Sequence, residues 1–448
     1  MVKDMTKGAV APILLKFSLP LLVSVVFQQL YSIADSVIAG NFINKDALAA
    51  IGASYPITMI FLAFGTGMNV GCSVVISMLF GAKDHKNMKT SVFTSIISSV
   101  TLGFVMTAAG YLTSGMFLRL LNTDEQIFAD AQGYLNVYVF GLGFMFLYNI
   151  CNGIFAALGD SNTPLIFLII SSVSNVLADL LFVAVFKMGV LGTAWATFIC
   201  QAVCSVLAFA VLMRRISKIK SEKFAFFRWS MLGKIAQFSV PSILQQSFVS
   251  VGNLFIQGLV NDCGLDVTAG YASAIKLNTF AVTCFSTVGN AASSFTAQNT
   301  GAGEHKRVRR GMRISSVFAL GLALAALICY VVFADKLIYI FMDSSDMDNA
   351  AAAEAGALFL RIVSPFFPAV AFKLTLDGIL RGAGMLKSFM ISTFSDLILR
   401  VGFAFILQPR LGAQGIWLSW PVVWIIGMAI SAGFYVVYSR RTAEKMRN

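Results

Sequence analysis

Twelve apolar runs, each bounded by polar punctuation, constrain this chain more than any other feature. They fall at 12–38, 48–80, 89–115, 131–157, 162–186 and 189–213, then at 234–260, 268–298, 311–335, 351–380, 386–407 and 411–438. Crossing about 30 Å of hydrocarbon at about 1.5 Å per residue takes about 20 residues, so every run is long enough. A soluble fold is excluded by supply of polar surface. The chain is 58% hydrophobic and 12% charged, against about 45–50% and about 25% in soluble domains. The expected fold is an all-α integral membrane bundle of twelve helices. Pro and Gly inside the runs do not break it, because neighbouring helices can satisfy the freed backbone groups. No cleavable leader is expected, since Met1–Lys7 leads straight into the first run without a small-residue cleavage site.

The location of the net charge of +12 decides what it means. Arg214, Arg215, Lys218, Lys220, Lys223 and Arg228 crowd one short gap, and Lys306, Arg307, Arg309, Arg310 and Arg313 another. Juxtamembrane clusters of this kind report topology and attract anionic lipid, so no nucleic-acid partner is expected. Gaps after even-numbered runs are basic (Lys83, Lys86 and Lys89; the tail with Arg440, Arg441, Lys445 and Arg447). Gaps after odd-numbered runs are acidic or poor in Lys and Arg (Asp124, Glu125, Asp130; Asp262, Asp266; Asp343, Asp346, Asp348). The positive-inside rule then places both termini in the cytoplasm of a multi-pass protein of the cell membrane.

Self-comparison at a separation of about 220 residues reveals a repeat. Phe17-Ser18-Leu19-Pro20 recurs as Phe238-Ser239-Val240-Pro241, and Gly81-Ala82-Lys83-Asp84-His85-Lys86 as Gly301-Ala302-Gly303-Glu304-His305-Lys306. Leu191-Gly192 pairs with Leu411-Gly412. The organisation expected is an N-lobe over 1–213 and a basic cytoplasmic linker over 214–233. A C-lobe over 234–438 and a cytoplasmic tail over 439–448 follow. Six spans per half means both halves enter from one side, related by a pseudo-twofold axis along the membrane normal, as in transporters that rock two halves about a central site. His85 and His305, the two histidines of the chain, are repeat equivalents in basic turns, where a structural role is expected.

Ionisable side chains within spans are costly unless paired or hydrated, so each is a functional candidate. Asp35 lies near the outer end of span one, Asp179 in span five with Asn175 one turn before it, and Thr197 in span six. Counted along their helices, these residues share the outer half of the first lobe, Asp179 about 10 Å from the surface. Two carboxylates, an amide and a hydroxyl in a poorly solvated place can bind and release a proton, and their hard oxygens also suit sodium. The bland alternative has Asp35 reaching outer water and Asp179 simply bonding Asn175. The second half is charged differently. Aligned at the repeat spacing, Arg400 stands where the first half has Asp179, and Lys373 with Asp377, and Asp396 with Arg400, read as self-neutralising i,i+4 pairs. Lys276 in span eight has no evident local partner.

Other chemistry is missing from the sequence. It carries no G-x-x-x-x-G-K-[ST] phosphate loop, no zinc spacing and no Ser/His/Asp set, so neither an ATPase, a metal centre nor another enzyme is expected. Gly65, Gly67 and Gly71 read as close helix packing, and the seven scattered cysteines as small apolar packers.

Pro20 with Asp35 fifteen residues later, Asn175-x-x-x-Asp179, Thr197 and the turn Gln298-Asn299-x-Gly301-Ala302 together resemble the multidrug and toxic compound extrusion (MATE) family over nearly the whole chain. The resemblance implies that Asp35, Asn175, Asp179 and Thr197 bind protons or sodium. It implies that Tyr31 and Tyr134 extend a hydrogen-bonded path and that Pro20 marks where span one bends on protonation. It also implies export of amphipathic, often cationic compounds from a cavity between lobes; Phe144, Met145, Phe146, Phe366 and Phe367 are candidates to line it. The chain lacks a Glu in span seven, where Gln245 and Gln246 are the nearest polar groups. It is in that respect more similar to the DNA-damage-inducible protein F branch.

The function expected is therefore secondary antiport of small amphipathic molecules by alternating access. Its coupling ion is a proton or sodium, with the proton favoured; it needs no cofactor and acts as a monomer among membrane lipids. A lipid-linked-sugar flippase is the alternative within the related superfamily, but it would call for more basic groups than Lys276 and Lys373. A membrane sensor or scaffold is the alternative outside it, but it would not need carboxylates from separate segments at one depth.

Overall fold

The computed structural model describes residues 3–42, 45–341 and 350–445; of 32–42, 45–48 and 445 it describes the backbone alone. Asp343, Asp346, Asp348 and Arg447 lie outside the described residues, as does the side chain of Asp35. Among the described residues the secondary structure is entirely helical. Helices α1 (Val10–Phe42), α2 (Lys45–Gly81), α3 (His85–Leu120), α4 (Glu125–Phe140), α5 (Leu142–Ala157), α6 (Asn162–Asp179) and α7 (Val190–Lys218) form the first half. The second half holds α8 (Trp229–Asn261), α9 (Leu265–Gly301), α10 (His305–Val332), the short α11 (Ala334–Ile338), α12 (Ala350–Val363), α13 (Phe367–Gly382), α14 (Leu386–Leu411) and α15 (Ala413–Lys445).

By length and composition, ten helical spans among the described residues can cross a membrane, and the α4–α5 pair makes an eleventh if its 47° bend at Gly141 is one broken span. In the second half, α12 and α13 are likewise interrupted, by a short 3-10 turn over Ser364–Phe366 with Pro365 in it. The remaining expected span, α9, is 37 residues long but falls outside that set. Its surroundings explain why. A Cβ on Gly289 would come within 2.5 Å of the Leu374 carbonyl of α13, and Gly378 of α13 in turn sits on the Gly289 carbonyl. A helix packed backbone to backbone against a neighbour buries much of its surface in protein, so it needs less apolar surface and carries buried Ser, Thr, Asn and Gln instead. Large apolar side chains such as Phe104, Leu112, Leu177, Val317 and Ile398 are exposed, an apolar exterior suited to a lipid environment.

The helices divide into two compact units. The first comprises Met1–Met5 and Leu19–Ser247, the second Thr6–Ser18 and Phe248–Asn448. Of the three breaks between them, the one after Met5 precedes α1, and those after Ser18 and Ser247 fall inside α1 and α8. The first unit packs α2, α3, α5 and α7 around Phe146, Ile154, Phe155 and Leu212. Gly67 and Gly71 of α2 lie against Ile243 and Ser239 of α8, where a Cβ would overlap the backbone. The basic segment after α7 is held on α3: Phe93 stacks on Phe224 and meets Phe226 edge-on, Lys86 pairs with Glu222 at 3.2 Å, and Arg228 donates to Asn87. The second unit is built on aromatic packing, with Phe285, Tyr330 and Trp424 around Phe367, and Phe359 and Tyr271 against Trp417.

Backbone geometry supports the repeat and re-registers it. The α2–α3 and α9–α10 turns match atom for atom: Lys83 and Gly303 both have positive φ, and Asp84 and Glu304 close equivalent hydrogen bonds. Asp84 also caps α3, accepting from the Asn87 backbone and side chain. Partial burial works against its charge, but the Asn87 hydrogen bonds and the nearby His85 and Lys86 hold the carboxyl below its usual range. The next anchors are Gly159 with Gly384, then Gly189 (φ 58, ψ −142) with Gly412 (φ 59, ψ −140), left-handed positions that suit glycine. The Gly192 and Gly415 amides donate to those last two glycines. Leu191-Gly192 is thus not the partner of Leu411-Gly412; Gly189 and Gly192 pair with Gly412 and Gly415. Counted from Gly159 and Gly384, Arg400 is the equivalent of Asn175, not of Asp179. The expectation failed because it assumed one constant spacing.

Candidate functional site

The candidate site lies in the first unit, where α6 meets α1 and α7. Asp160 fixes the start of α6. It accepts from the Asn162 and Thr163 amides, each at 3.2 Å, and from the Thr163 hydroxyl at 2.9 Å, and it pairs with Arg215 of α7. Arg215 also donates to Thr163 at 2.7 Å. This clamp ties one end of α6 to α7. At the other end, α6 widens directly after Asp179 into a π-helical turn over Leu180–Val185, and Gly189 starts α7. Such widened turns recur at functional sites because they shift side chains out of ordinary helical register.

Between these two features the polar residues converge. Asn175 and Asp179 are both buried, Asp179 completely. In the amide orientation that satisfies its neighbours, Asn175 Nδ2 donates to Tyr31 Oη at 2.6 Å and to Asp179 Oδ2 at 3.1 Å. Its Oδ1 then accepts from the Thr197 backbone N–H at 3.1 Å. The i,i+4 spacing explains the Asn175–Asp179 contact. The contacts to Tyr31 and Thr197 are tertiary. One amide therefore reads three elements at once.

Of the expected residues, Tyr31, Asn175, Asp179 and Thr197 are brought together. Tyr134 sits half-buried on α4. Asp35 belongs to α1 by its backbone, and its side chain lies outside the described residues. Pro20 is inside α1, beside the unit boundary at Ser18. It lacks the N–H that would bond the Lys16 carbonyl, and the Ser24 hydroxyl donates to the Pro20 carbonyl at 2.9 Å. Cys200 was read as a mere packer, yet its thiol meets Asn175 and lies near Asp179. Its spacing from Thr197, one turn along α7, is the signal that could have found it.

The second unit holds a separate charged interior. Lys373 pairs with Asp377 at 3.1 Å, as its i,i+4 spacing suggests, and also with Asp396 of α14 at 3.5 Å. Asp377 further accepts from Ser392 at 2.9 Å and Ser431 at 2.6 Å. The expected Asp396–Arg400 pair is replaced: Asp396 turns to Lys373, and Arg400 lies over the Trp420 ring at 4.5 Å. Lys276 is exposed, its ammonium 5.4 Å from the Phe341 ring centroid. Met145, Phe146 and Phe367 are buried in the packing of their own units.

Comparison with known proteins gives the context for this geometry. A family model described as MatE matches residues 20–181 and again 241–406, one copy in each half. The probable multidrug resistance protein YpnP of Bacillus subtilis is 30% identical, over 99% of this chain and 98% of its own length. YoeA of the same organism, also a probable multidrug resistance protein, is 25% identical over 94% of this chain and 92% of its own. Among solved structures, an outward-facing multidrug resistance MATE family transporter of the MOP superfamily superposes with a TM-score of 0.91. That match covers 98% of both chains at 22% identity, a likeness of fold. The fold is thus the all-α, twelve-helix, two-lobe membrane architecture. By sequence, repeat and fold together, the chain belongs to the MATE family of multi-pass multidrug efflux transporters and is not an enzyme.

Proposed function

We propose that this chain exports small amphipathic, often cationic compounds across the cytoplasmic membrane by alternating access, driven by protons returning through the first unit. The flippase and the non-transporting alternatives are not favoured by its family membership. One observation carries the reading: a wholly buried carboxylate, Asp179, bonded to an amide that also holds Tyr31 on α1 and Thr197 on α7. An ionised carboxylate only accepts hydrogen bonds, whereas a protonated one also donates. Taking up a proton at Asp179 therefore changes what Asn175 must offer, and Asn175 passes the change to α1 and α7. Pro20, which interrupts the hydrogen-bond ladder of α1, is the place where that helix would yield. Sodium would require Asn175 to turn its oxygen toward the carboxylate and release the Thr197 N–H. This favours the proton.

Transport in proteoliposomes under imposed pH and sodium gradients, with a panel of cationic dyes and anionic metabolites, tests the proposal. With protons as the coupling ion, Thr197→Ala weakens export only modestly, about twofold to fivefold, because the backbone N–H contact to Asn175 survives. Sodium coupling would instead raise the half-saturating sodium concentration strongly. Sodium-driven export that persists with the pH gradient collapsed by an ionophore defeats the proton reading.

The proposal also places both termini and the 214–233 segment in the cytoplasm. In a chain stripped of its native cysteines, an impermeant thiol reagent added outside cells should label Asp262→Cys and spare Lys220→Cys, both exposed positions. The reverse pattern would invert the topology.

A further inference from the structure

Among the described residues, the interior of the second unit has one buried cation more than it has carboxylates. Three buried cations, Lys373, Arg381 and Arg400, face two carboxylates, Asp377 and Asp396. Lys373 claims both carboxylates. Arg381 is satisfied by neutral acceptors, donating to Asn290 at 2.6 Å and Ser293 at 3.3 Å. Arg400 has no such arrangement. It is 7% exposed, and its Nε and Nη2 have no hydrogen-bond acceptor among the described residues. The carboxylate one turn earlier on its own helix, Asp396, pairs through Oδ2 with Lys373; it lies near enough to act on the Arg400 charge but makes no hydrogen bond to its Nε or Nη2.

The ring beneath the Arg400 guanidinium repeats the deficit. Trp420 is 5% exposed, and its indole N–H is likewise without an acceptor. On the α8 side stands Gly252, where even a Cβ would come within 3.2 Å of Arg400 Nη2, so no side chain from that position supplies an acceptor. A guanidinium stays protonated and offers a planar fork of donors suited to carboxylate or phosphate oxygens. Buried donors without acceptors are normally completed by a partner.

We propose that Arg400 and Trp420 form an anion-binding site in the second unit, taking the carboxylate or phosphate group of an amphipathic molecule. The fork of Arg400 holds the charged oxygens, and the Trp420 N–H adds a further donor. The site makes the second unit a recognition element for anionic groups, chemically distinct from the carboxylate site on α6. It does not depend on which ion drives transport, because binding needs no gradient.

Equilibrium binding to the full-length protein in phosphatidylcholine nanodiscs tests this, with decanoate, decyl phosphate and decyltrimethylammonium as chain-matched probes. Arg400→Gln should weaken binding of the anionic probes at least tenfold and leave binding of the cationic probe unchanged. Trp420→Phe, which keeps a ring beneath the guanidinium but removes the N–H, should weaken the anionic probes several-fold. It carries the test if Arg400→Gln does not fold. Replacing part of the lipid with phosphatidylglycerol identifies the source of the group. Competition with decyl phosphate means that a lipid headgroup enters the site; no competition means that a solute does. Absence of saturable binding of either anionic probe to the unaltered protein overturns the proposal. So does undiminished anion binding in a folded Arg400→Gln or Trp420→Phe variant.

Discussion

Asp179→Asn should reduce gradient-driven export to the level of empty proteoliposomes while the protein still folds and inserts. The substitution conserves shape and removes the titratable group. The Asn175 donor that now reaches Asp179 Oδ2 would still find an amide oxygen there, so the contacts to Tyr31 and Thr197 persist. What is lost is the change between acceptor and donor that a proton brings. Substrate binding measured without a gradient should remain near the wild-type level, which separates loss of coupling from loss of structure. On sequence grounds Asp35→Asn should act in the same direction. Wild-type export in both variants would remove coupling from the first unit and direct attention to Lys373, Asp377 and Asp396.

The second large effect is on stability. Lys373→Met should destabilise the protein by about 3–5 kcal/mol, the range seen when one member of a buried ion pair is removed. The methionine fits the space of the lysine stem but leaves Asp377 and Asp396 without the ammonium that both share. The hydroxyls of Ser392 and Ser431 support Asp377 but do not neutralise it. Thermal melting in detergent should fall by on the order of 10 °C. Adding Asp377→Asn and Asp396→Asn to the same chain should restore most of the loss, because uncharged amides no longer demand a counter-ion. An unchanged melting temperature in Lys373→Met would show that the two carboxylates are compensated from elsewhere.

These two residues also mark how far the sequence could be read. The spans and the broad repeat were legible because hydropathy and turn residues act over a few neighbouring positions. Asn175 and Asp179 were legible as a pair because four residues make one helical turn. The same rule applied to Asp396 and Arg400 picked the wrong partners. Helical spacing permits that pair, but Lys373 on α13 competes for Asp396, and the packing of α13 on α14 decides the outcome. A charge bonds with whatever lies closest in space, and adjacency along the chain is only one route to that. The α9 segment shows the same limit, since its polarity makes sense only beside the backbone of α13.

The register of the repeat was decided in three dimensions as well. Its spacing drifts between the paired turns, and the π-helical turn after Asp179 absorbs extra residues where α14 runs on as a regular α-helix. Hydropathy does not register such a change, because the widened turn keeps the same apolar composition. By itself, then, the sequence determined a twelve-span, twice-repeated membrane protein and put two carboxylates, Asp35 and Asp179, within spans of its first half, all consequences of local composition and spacing. Only the tertiary structure decided that one amide joins Tyr31, Asp179 and Thr197, that Cys200 belongs beside them, and that Nε and Nη2 of Arg400 have no acceptor among the described residues. Each of these depends on which helices meet, and that is set by packing over the whole chain.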